Sequence, residues 1–296
     1  MYRLFVIAVV VMWVSAMACL FVHDVWPAWT AQDAPPMTRE QFARLGQTKQ
    51  QCAILDADGQ RLGTAWSNVS TTEANTTIYG TVRLNRVMLL APLLVETTTQ
   101  LEPTGCLDSF SLDVYGVPVT RISIHGEKRG IYFPCELQVG PLHRQANLDL
   151  AASRMIGESL RPFGYLPTLK VGQAWRMQLI DPLSAVITRR TQFNAIVARV
   201  TGTETIEHLG QQVQCFVIQT SDGQVKAWAD RLGRVLVQRV DVPGLGPITV
   251  RQEPYDEQAR LQARRRTPGQ PGPDAPTVPS GLPGLKRPAV LKDLLP

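Results

Sequence analysis

Histidine and cysteine are scarce in this chain, and neither falls into a pattern that carries chemistry. Of four histidines, three lie beyond residue 24: His125, His143 and His208. No His-Glu-x-x-His run or clustered ligand set accompanies them, so a metal centre has no sequence support. The five cysteines include no Cys-x-x-Cys, which removes the zinc ribbon and thioredoxin-type redox chemistry. Gly-x-Ser-x-Gly and the phosphate-cradling glycine loops are also missing. Charge is thin, at 19% of residues against the usual quarter. The net charge is +5, and from Asp256 onward seven Lys/Arg face four Asp/Glu, so +3 sits in the last forty-one residues and +2 in the rest. A body so near neutrality has no concentrated basic face for a phosphate backbone, so no nucleic-acid partner is expected. Catalytic residues, cofactor and metal are all expected to be none.

One long apolar run is present. Leu4 to Val22 is nineteen residues without a charge, interrupted only by Ser15. At 1.5 Å per residue it covers roughly 30 Å, the thickness of a bilayer core. The stretch "WVSAMACLFVHD" (13–24) holds three readings. Ala16-Met17-Ala18 matches a signal-peptidase site, Ala18-Cys19 ends a degenerate lipobox, and the run also serves uncut as an anchor. The uncut anchor is preferred. The run exceeds the 7–15 apolar residues of a cleaved signal, and the lipobox lacks its leading large aliphatic residue. Arg3 precedes the run and Asp24 follows, which puts the N-terminus in the cytoplasm and the remainder outside. The expected location is thus the inner or plasma membrane, single pass, with the bulk of the chain extracytoplasmic.

After a spacer (25–37), Met37 to Gly46 reads as a short helix. Thr38 and Gln41 form a capping box, and Met37 staples to Phe42. From Gln51 the period changes to two. Ile78, Val82 and Leu84 alternate with polar neighbours in "TIYGTVRLN", Ile122 and Ile124 in "TRISIHG", and Trp175, Met177 and Leu179 in "QAWRMQLID". "QFNAIVARV" and "QVQCFVIQT" are further strand-like runs. Turn signals fall between them at Asp58-Gly59, His125-Gly126, Leu209-Gly210, Asp222-Gly223 and Leu232-Gly233. This is the pattern of an antiparallel meander, and strands do not alternate with long helices. The fold class is therefore mainly β. A transmembrane helix (1–24) precedes a large curved antiparallel sheet, an open or half barrel with one or two short helices (38–255), and a disordered Pro/Gly-rich tail (256–296). Leu148 to Leu160 fits either a helix face or a strand. The segments "QCAILDADGQRLGTAW" (51–66) and "QCFVIQTSDGQVKAW" (214–228) resemble each other, as two similar hairpins or as a duplicated half-sheet. Cys52 and Cys215 take equivalent places in them and read as buried thiols. Cys106 and Cys135, near strand ends, are the disulfide candidates.

Three short patterns form a series: Leu169-x-Val171-Gly172-x-x-Trp175, then Val200-x-Gly202-x-Glu204, then Ala227-Trp228-x-Asp230-x-x-Gly233-Arg234-Val235. From Leu166 to Val240 the chain resembles uncharacterised bacterial envelope domains, which are similar to the open β-barrel of periplasmic lipoprotein carriers. The resemblance implies a concave apolar face and no catalytic residue. Independently of it, a twisted sheet that curls without closing makes such a face, and a covering helix turns it into a pocket for an acyl chain. Trp175, Met177, Leu179 and Trp228 are the ligand-facing candidates. The expected function is non-enzymatic binding of an apolar ligand or polypeptide partner in the cell envelope, with the membrane, a lipid or an envelope protein as partner. The alternatives are a scaffold subunit using its Pro-rich tail, and a thiol hydrolase pairing Cys106 or Cys135 with a histidine.

Overall fold

The computed structural model describes residues 2–21, 31–33, 37, 39–45, 49–85, 92–116, 121–130, 132–140, 142–148, 156–158, 161, 163–166, 168–180, 193–242 and 246–265. Eight strands form a first meander: β2 (Lys49–Leu55), β3 (Arg61–Thr71), β4 (Thr76–Leu84), β5 (Leu93–Leu101), β6 (Leu107–Gly116), β7 (Ile122–Glu127), β8 (Phe133–Val139) and β9 (Leu142–Leu148). Six form a second: β11 (Ala174–Ile180), β12 (Phe193–His208), β13 (Gln211–Thr220), β14 (Val225–Ala229), β15 (Val235–Val242) and β16 (Gly246–Glu253). All fourteen pair antiparallel in one open sheet, in the order β11 to β16 and then β2 to β9. Two short pieces, β1 (Gln32–Asp33) and β10 (Ile156–Glu158), add parallel pairings to β11. The mainly-β, antiparallel expectation holds, and β10 resolves the ambiguous stretch as strand over those three residues.

The order is not the chain order. The last strand, β16, pairs with the first long one, β2, and so joins the meanders at the centre of the sheet. Strands β9 and β11, consecutive apart from the short β10, lie at opposite edges. The connection between them has to cross the sheet.

Period-two sequence puts one face of each strand into a common core. Cys52, Ala65, Val82, Val95, Val114 and Ile122 are successive cross-strand partners, all buried. On the other side of the seam the equivalent row runs Ile54, Val250, Gln238, Ala227, Ile218 and Val200. Its one polar member is Gln238. Both rows feed a single apolar cluster, which we call the inner face. Cross-strand apolar pairs of this kind are the unit of sheet stability.

Turn chemistry sets the hairpins. Asp56 to Gln60 and Asp230 to Arg234 are the same turn. In each, the Asp Oδ1 accepts from the N–H groups two and four residues on, and the Gly N–H donates to the Asp carbonyl. Leu209 and Gly210 form the two-residue tip between β12 and β13, both at positive φ (50° and 75°), as a type I′ turn requires. His125-Gly126 departs from the expectation. It lies inside β7, because a Cβ on Gly126 would come within 2.6 Å of the Phe110 and Phe133 rings and 2.8 Å of Cys135 Sγ. Here the missing side chain makes room for a ring stack (5.7 Å between centroids) and does not turn the chain.

Among the described residues three helices accompany the sheet. α1 (Tyr2–Leu20) carries the apolar run, and Phe5 and Met12 on it are each 68% exposed. Among the described residues no helix is long and apolar enough to cross a membrane. α2 (Arg39–Leu45) follows Met37, and both Met37 and Phe42 are buried in the inner core as a staple would have them; Thr38 and Gly46 lie outside the described residues. α3 (Glu257–Arg265) corrects the boundary of the tail. Asp256 Oδ1 accepts from the Ala259 N–H, Glu257 pairs with Arg260 one turn on, and Ala263 is buried with its carbonyl bonded by Arg83 Nη1. An N-cap, an ion pair and one small buried residue hold this largely polar nine-residue helix on the sheet. Residues 266–296, the rest of the expected tail, lie outside the described residues.

Candidate functional site

The crossing connection supplies the most unusual polar chemistry in the molecule. Its residues 161 and 163–166 lie on the inner face at the sheet's centre. The Phe163 N–H donates to Gln238 Oε1 (3.2 Å), and Gln238 Nε2 donates to the Phe163 carbonyl (2.9 Å). The lone polar side chain of the inner row thus serves as a ladder rung for a passing backbone. Tyr165 bridges to Arg234, and the Leu166 N–H donates to the Gly233 carbonyl. Phe42 of α2 meets the Tyr165 ring edge to face at 5.9 Å. The strap is therefore pinned by hydrogen bonds on one side and by an aromatic contact on the other.

At the head of the strap a buried cation sits among under-bonded polar groups. Arg161 is 8% exposed, and its Nη2 donates to Gln50 Oε1 at 2.8 Å. Gln50, 1% exposed, is the cross-strand partner of Ser67, 5% exposed, so both side chains emerge on this face. Gln50 Nε2, Arg161 Nε and Ser67 Oγ make no hydrogen bond of good geometry. Among the described residues no carboxylate pairs with Arg161. The neighbouring titratable groups are neutral. Burial pushes the Tyr165 phenol up, partly offset by Ser67 and by the Arg161 charge. Burial likewise raises the Cys52 thiol, with Arg161 opposing and Glu253 reinforcing. A buried, unpaired guanidinium costs several kcal/mol (roughly 3–5 where a partner is removed), so this arrangement is unfavourable as it stands. Beyond Ser67 the same cross-strand row continues to Gly80 and Thr97, both half-buried, with the Thr97 hydroxyl lying over Gly80.

A second recess, about 710 Å³, lies on the outer face between β16 and α3. Its polar groups already satisfy one another. Arg61 pairs with Glu253 at 2.5 Å, and Gln51 donates to Glu253 while accepting from Trp66 Nε1 and from the Asp256 N–H. Lys49, Tyr255 and Arg260 all bond Glu257. This network docks α3 and leaves little for a ligand.

The sequence candidates do not converge. Trp175 and Met177 are fully buried in the inner core on β11. Leu179 follows on the same strand, opposite Asn194. Trp228 belongs to a separate outer cluster with Cys215, Val217 and Leu236. Its Nε1 donates to Glu204, and Lys226 and Arg239 lie over its ring. The disulfide expectation meets a geometric obstacle. Cys135 pairs with Gly126, which pairs with Phe110, so two strand spacings (roughly 10 Å) separate Cys135 from β6. Cys106 lies four residues further back along the chain, whereas a disulfide needs Cα atoms within about 7 Å. Both are free thiols. Burial raises Cys135 to about 12 and Cys215 to about 11, far from nucleophilic range at neutral pH.

Gln50, Ser67, Arg161, Tyr165 and Gln238 were not singled out by the sequence. Gln238 had a readable signal, since it is in phase with Val240 and Val242 and breaks their apolar stripe. Ser67 breaks the Ala65–Val69 stripe in the same way.

Comparison with known proteins adds little. No family model matches the chain, and no curated protein matches it. A DUF1089 family protein from Pseudomonas aeruginosa is structurally similar at a TM-score of 0.37 and 14% identity. The match covers 61% of this chain and 90% of that one.

Proposed function

We propose that this chain is a non-enzymatic binding protein of the cell envelope. Its uncharged leading run, Leu4 to Val22, serves as a single-pass anchor, with the N-terminus in the cytoplasm and the sheet outside, and the inner face takes an apolar or amphiphilic ligand. The observation that carries the ligand reading is that the inner face stays only half-buried at Gly80 and Thr97, beside a strap whose backbone is bonded by Gln238 and whose Phe163, Tyr165 and Leu166 side chains pack into the core. A face that already accepts one extended segment suits an extended ligand next to it. The anchor reading rests on the uncharged run from Leu4 to Val22, and on a helix that exposes Phe5, Met12 and Trp13 and so needs an apolar medium.

Two measurements test the two parts. On alkaline-carbonate extraction the full-length chain should stay with the membrane pellet, and recovery in the supernatant would refute the anchor. Native mass spectrometry of the full-length chain, released from a mild detergent and offered hexadecanol, should show a one-to-one adduct. No adduct at saturating hexadecanol would refute binding of a neutral apolar chain.

A further inference from the structure

We infer that Gln50, Ser67, Tyr165 and Arg161 form a head-group subsite for an oxyanion, a carboxylate or a phosphate monoester, carried at the end of an apolar chain. The inference rests on the reading above, that the inner face takes an amphiphile, and adds which end of it is recognised and by what. Three of the four side chains hold polar atoms without hydrogen bonds, and all three are more than nine-tenths buried. Water could occupy those donors, but it would leave the charge unbalanced. Arg161 carries a full positive charge, and among the described residues no carboxylate pairs with it. Arg161 Nε, Gln50 Nε2 and the Ser67 hydroxyl are all donors, so the missing group is an acceptor with more than one oxygen. Gln50 Oε1 already takes Nη2 of the guanidinium, which fixes its plane against β2 and leaves the Nε edge for the ligand. Tyr165 closes the cluster from the strap, with its phenol neutral and facing Ser67.

Placement of the tail follows from register. Ser67, Gly80 and Thr97 are consecutive partners on one face, and Ile78 lies two residues from Gly80 on the same side, packed against the inner core. An apolar chain leaving the Arg161 cluster along this row meets the Thr97 side chain, which lies over Gly80, and then the half-buried Ile78. The subsite is thus at the head of the strap, with the tail directed along the row towards β4 and β5.

The test compares three sixteen-carbon probes on the full-length chain by native mass spectrometry: hexadecanoate, hexadecyl phosphate and hexadecanol. At least one anionic probe should bind tenfold or more tightly than hexadecanol, and the two anionic arms distinguish a carboxylate from a phosphate. Arg161→Gln should abolish that preference while leaving hexadecanol binding within about twofold. Because Arg161→Gln removes a buried contact and can unfold the site, Gln50→Glu is the second variant. It places a carboxylate against the guanidinium, so it should keep the fold by circular dichroism and erase the anion preference. Equal binding of all three probes, or a preference that survives Gln50→Glu, overturns the head-group subsite and leaves the groove reading intact. Binding of none of the probes overturns both.

Discussion

Gln238 and Glu257 show how single side chains hold parts of this molecule that the sheet alone would not. The Gln238 amide bonds both the N–H and the carbonyl of Phe163 in a buried setting. Gln238→Leu keeps the size and removes both bonds, leaving two backbone groups unpaired at about 1–3 kcal/mol each. The expected loss is ~2–5 kcal/mol of stability by urea denaturation, and a loss below ~1 kcal/mol would mean that the strap is held by other contacts. Glu257 acts on the opposite face. Hydrogen bonds from Lys49 first, and then from Arg260, hold its carboxyl at about 2 against an ordinary 4.5. The unfolded chain therefore binds that proton more tightly than the folded one. The pairing stabilises above about pH 4.5, and its contribution is lost as pH falls towards 2. The Glu257 side chain is 37% exposed, so the effect is small and screened by salt. Emission from Trp66, which shares Gln51 with the start of α3, should report α3 loosening across that window. Glu257→Gln should flatten the transition, and an unchanged profile in that variant would assign it elsewhere.

At the scale of elements, close approach decides what docks. Gly105 (φ 78°) ends the β5–β6 turn directly against the Met37 backbone, and a Cβ there would lie 2.6 Å from Met37 N and O. Gly105→Ala combines a left-handed backbone with overlap that no rotamer relieves. It should cost ~2–5 kcal/mol by thermal denaturation. Gly223→Ala, equally left-handed but with nothing within 4 Å, should cost only the backbone part, about 1–3 kcal/mol. Equal losses in the two variants would remove the packing argument. The elements were largely legible in the sequence, since each quoted alternating run is a strand and the Asp-Gly turns hold. Their faces were less so. Cys52 and Cys215 look equivalent in the two similar hairpins, yet Cys52 faces the inner core and Cys215 the outer cluster. In β13 the inward positions are Phe216 and Ile218. A shift of one residue reverses every side chain, and a short apolar run such as Cys-Phe-Val-Ile does not say which phase is buried. Trp228 was misplaced for the same reason. Likewise α3 was hidden in a Pro/Gly-rich tail because its hold on the sheet is one cap, a few ion pairs and a buried alanine.

At the scale of the whole molecule, the sheet is two local meanders closed by one distant pairing. Hairpins were readable because their partners are near in sequence. The β2–β16 seam joins residues about two hundred positions apart, as in Gln51 with Glu253, and nothing in either strand names the other. The Arg161 cluster escaped notice for the same reason, since Gln50 and Arg161 meet only because the connection from β9 to β11 must traverse the sheet. The seam is also where coverage is greatest, with the strap on one face and α3 on the other. Backbone hydrogen exchange should therefore be slowest in β16, β2 and β3 and fastest in β9, an edge strand whose Leu142, His143, Arg144 and Gln145 are exposed. Faster exchange in β2 than in β9 would contradict this ranking.

The seam has a mechanical meaning as well. Lys49 at the start of β2 touches Glu257 just past the end of β16, so the first long strand begins where the last one ends, although the chain first meets the sheet at β1, beside β11. Once the two-residue β1 has parted from β11, tension between the leading helix and anything gripping the trailing end would pull those two neighbouring strands apart from their shared end. Hydrogen bonds loaded in this way break one after another, not all together. A tug from both termini would open the molecule down its middle like a zip, parting the two meanders and baring the Gln50 side of the buried cluster before either outer edge frays.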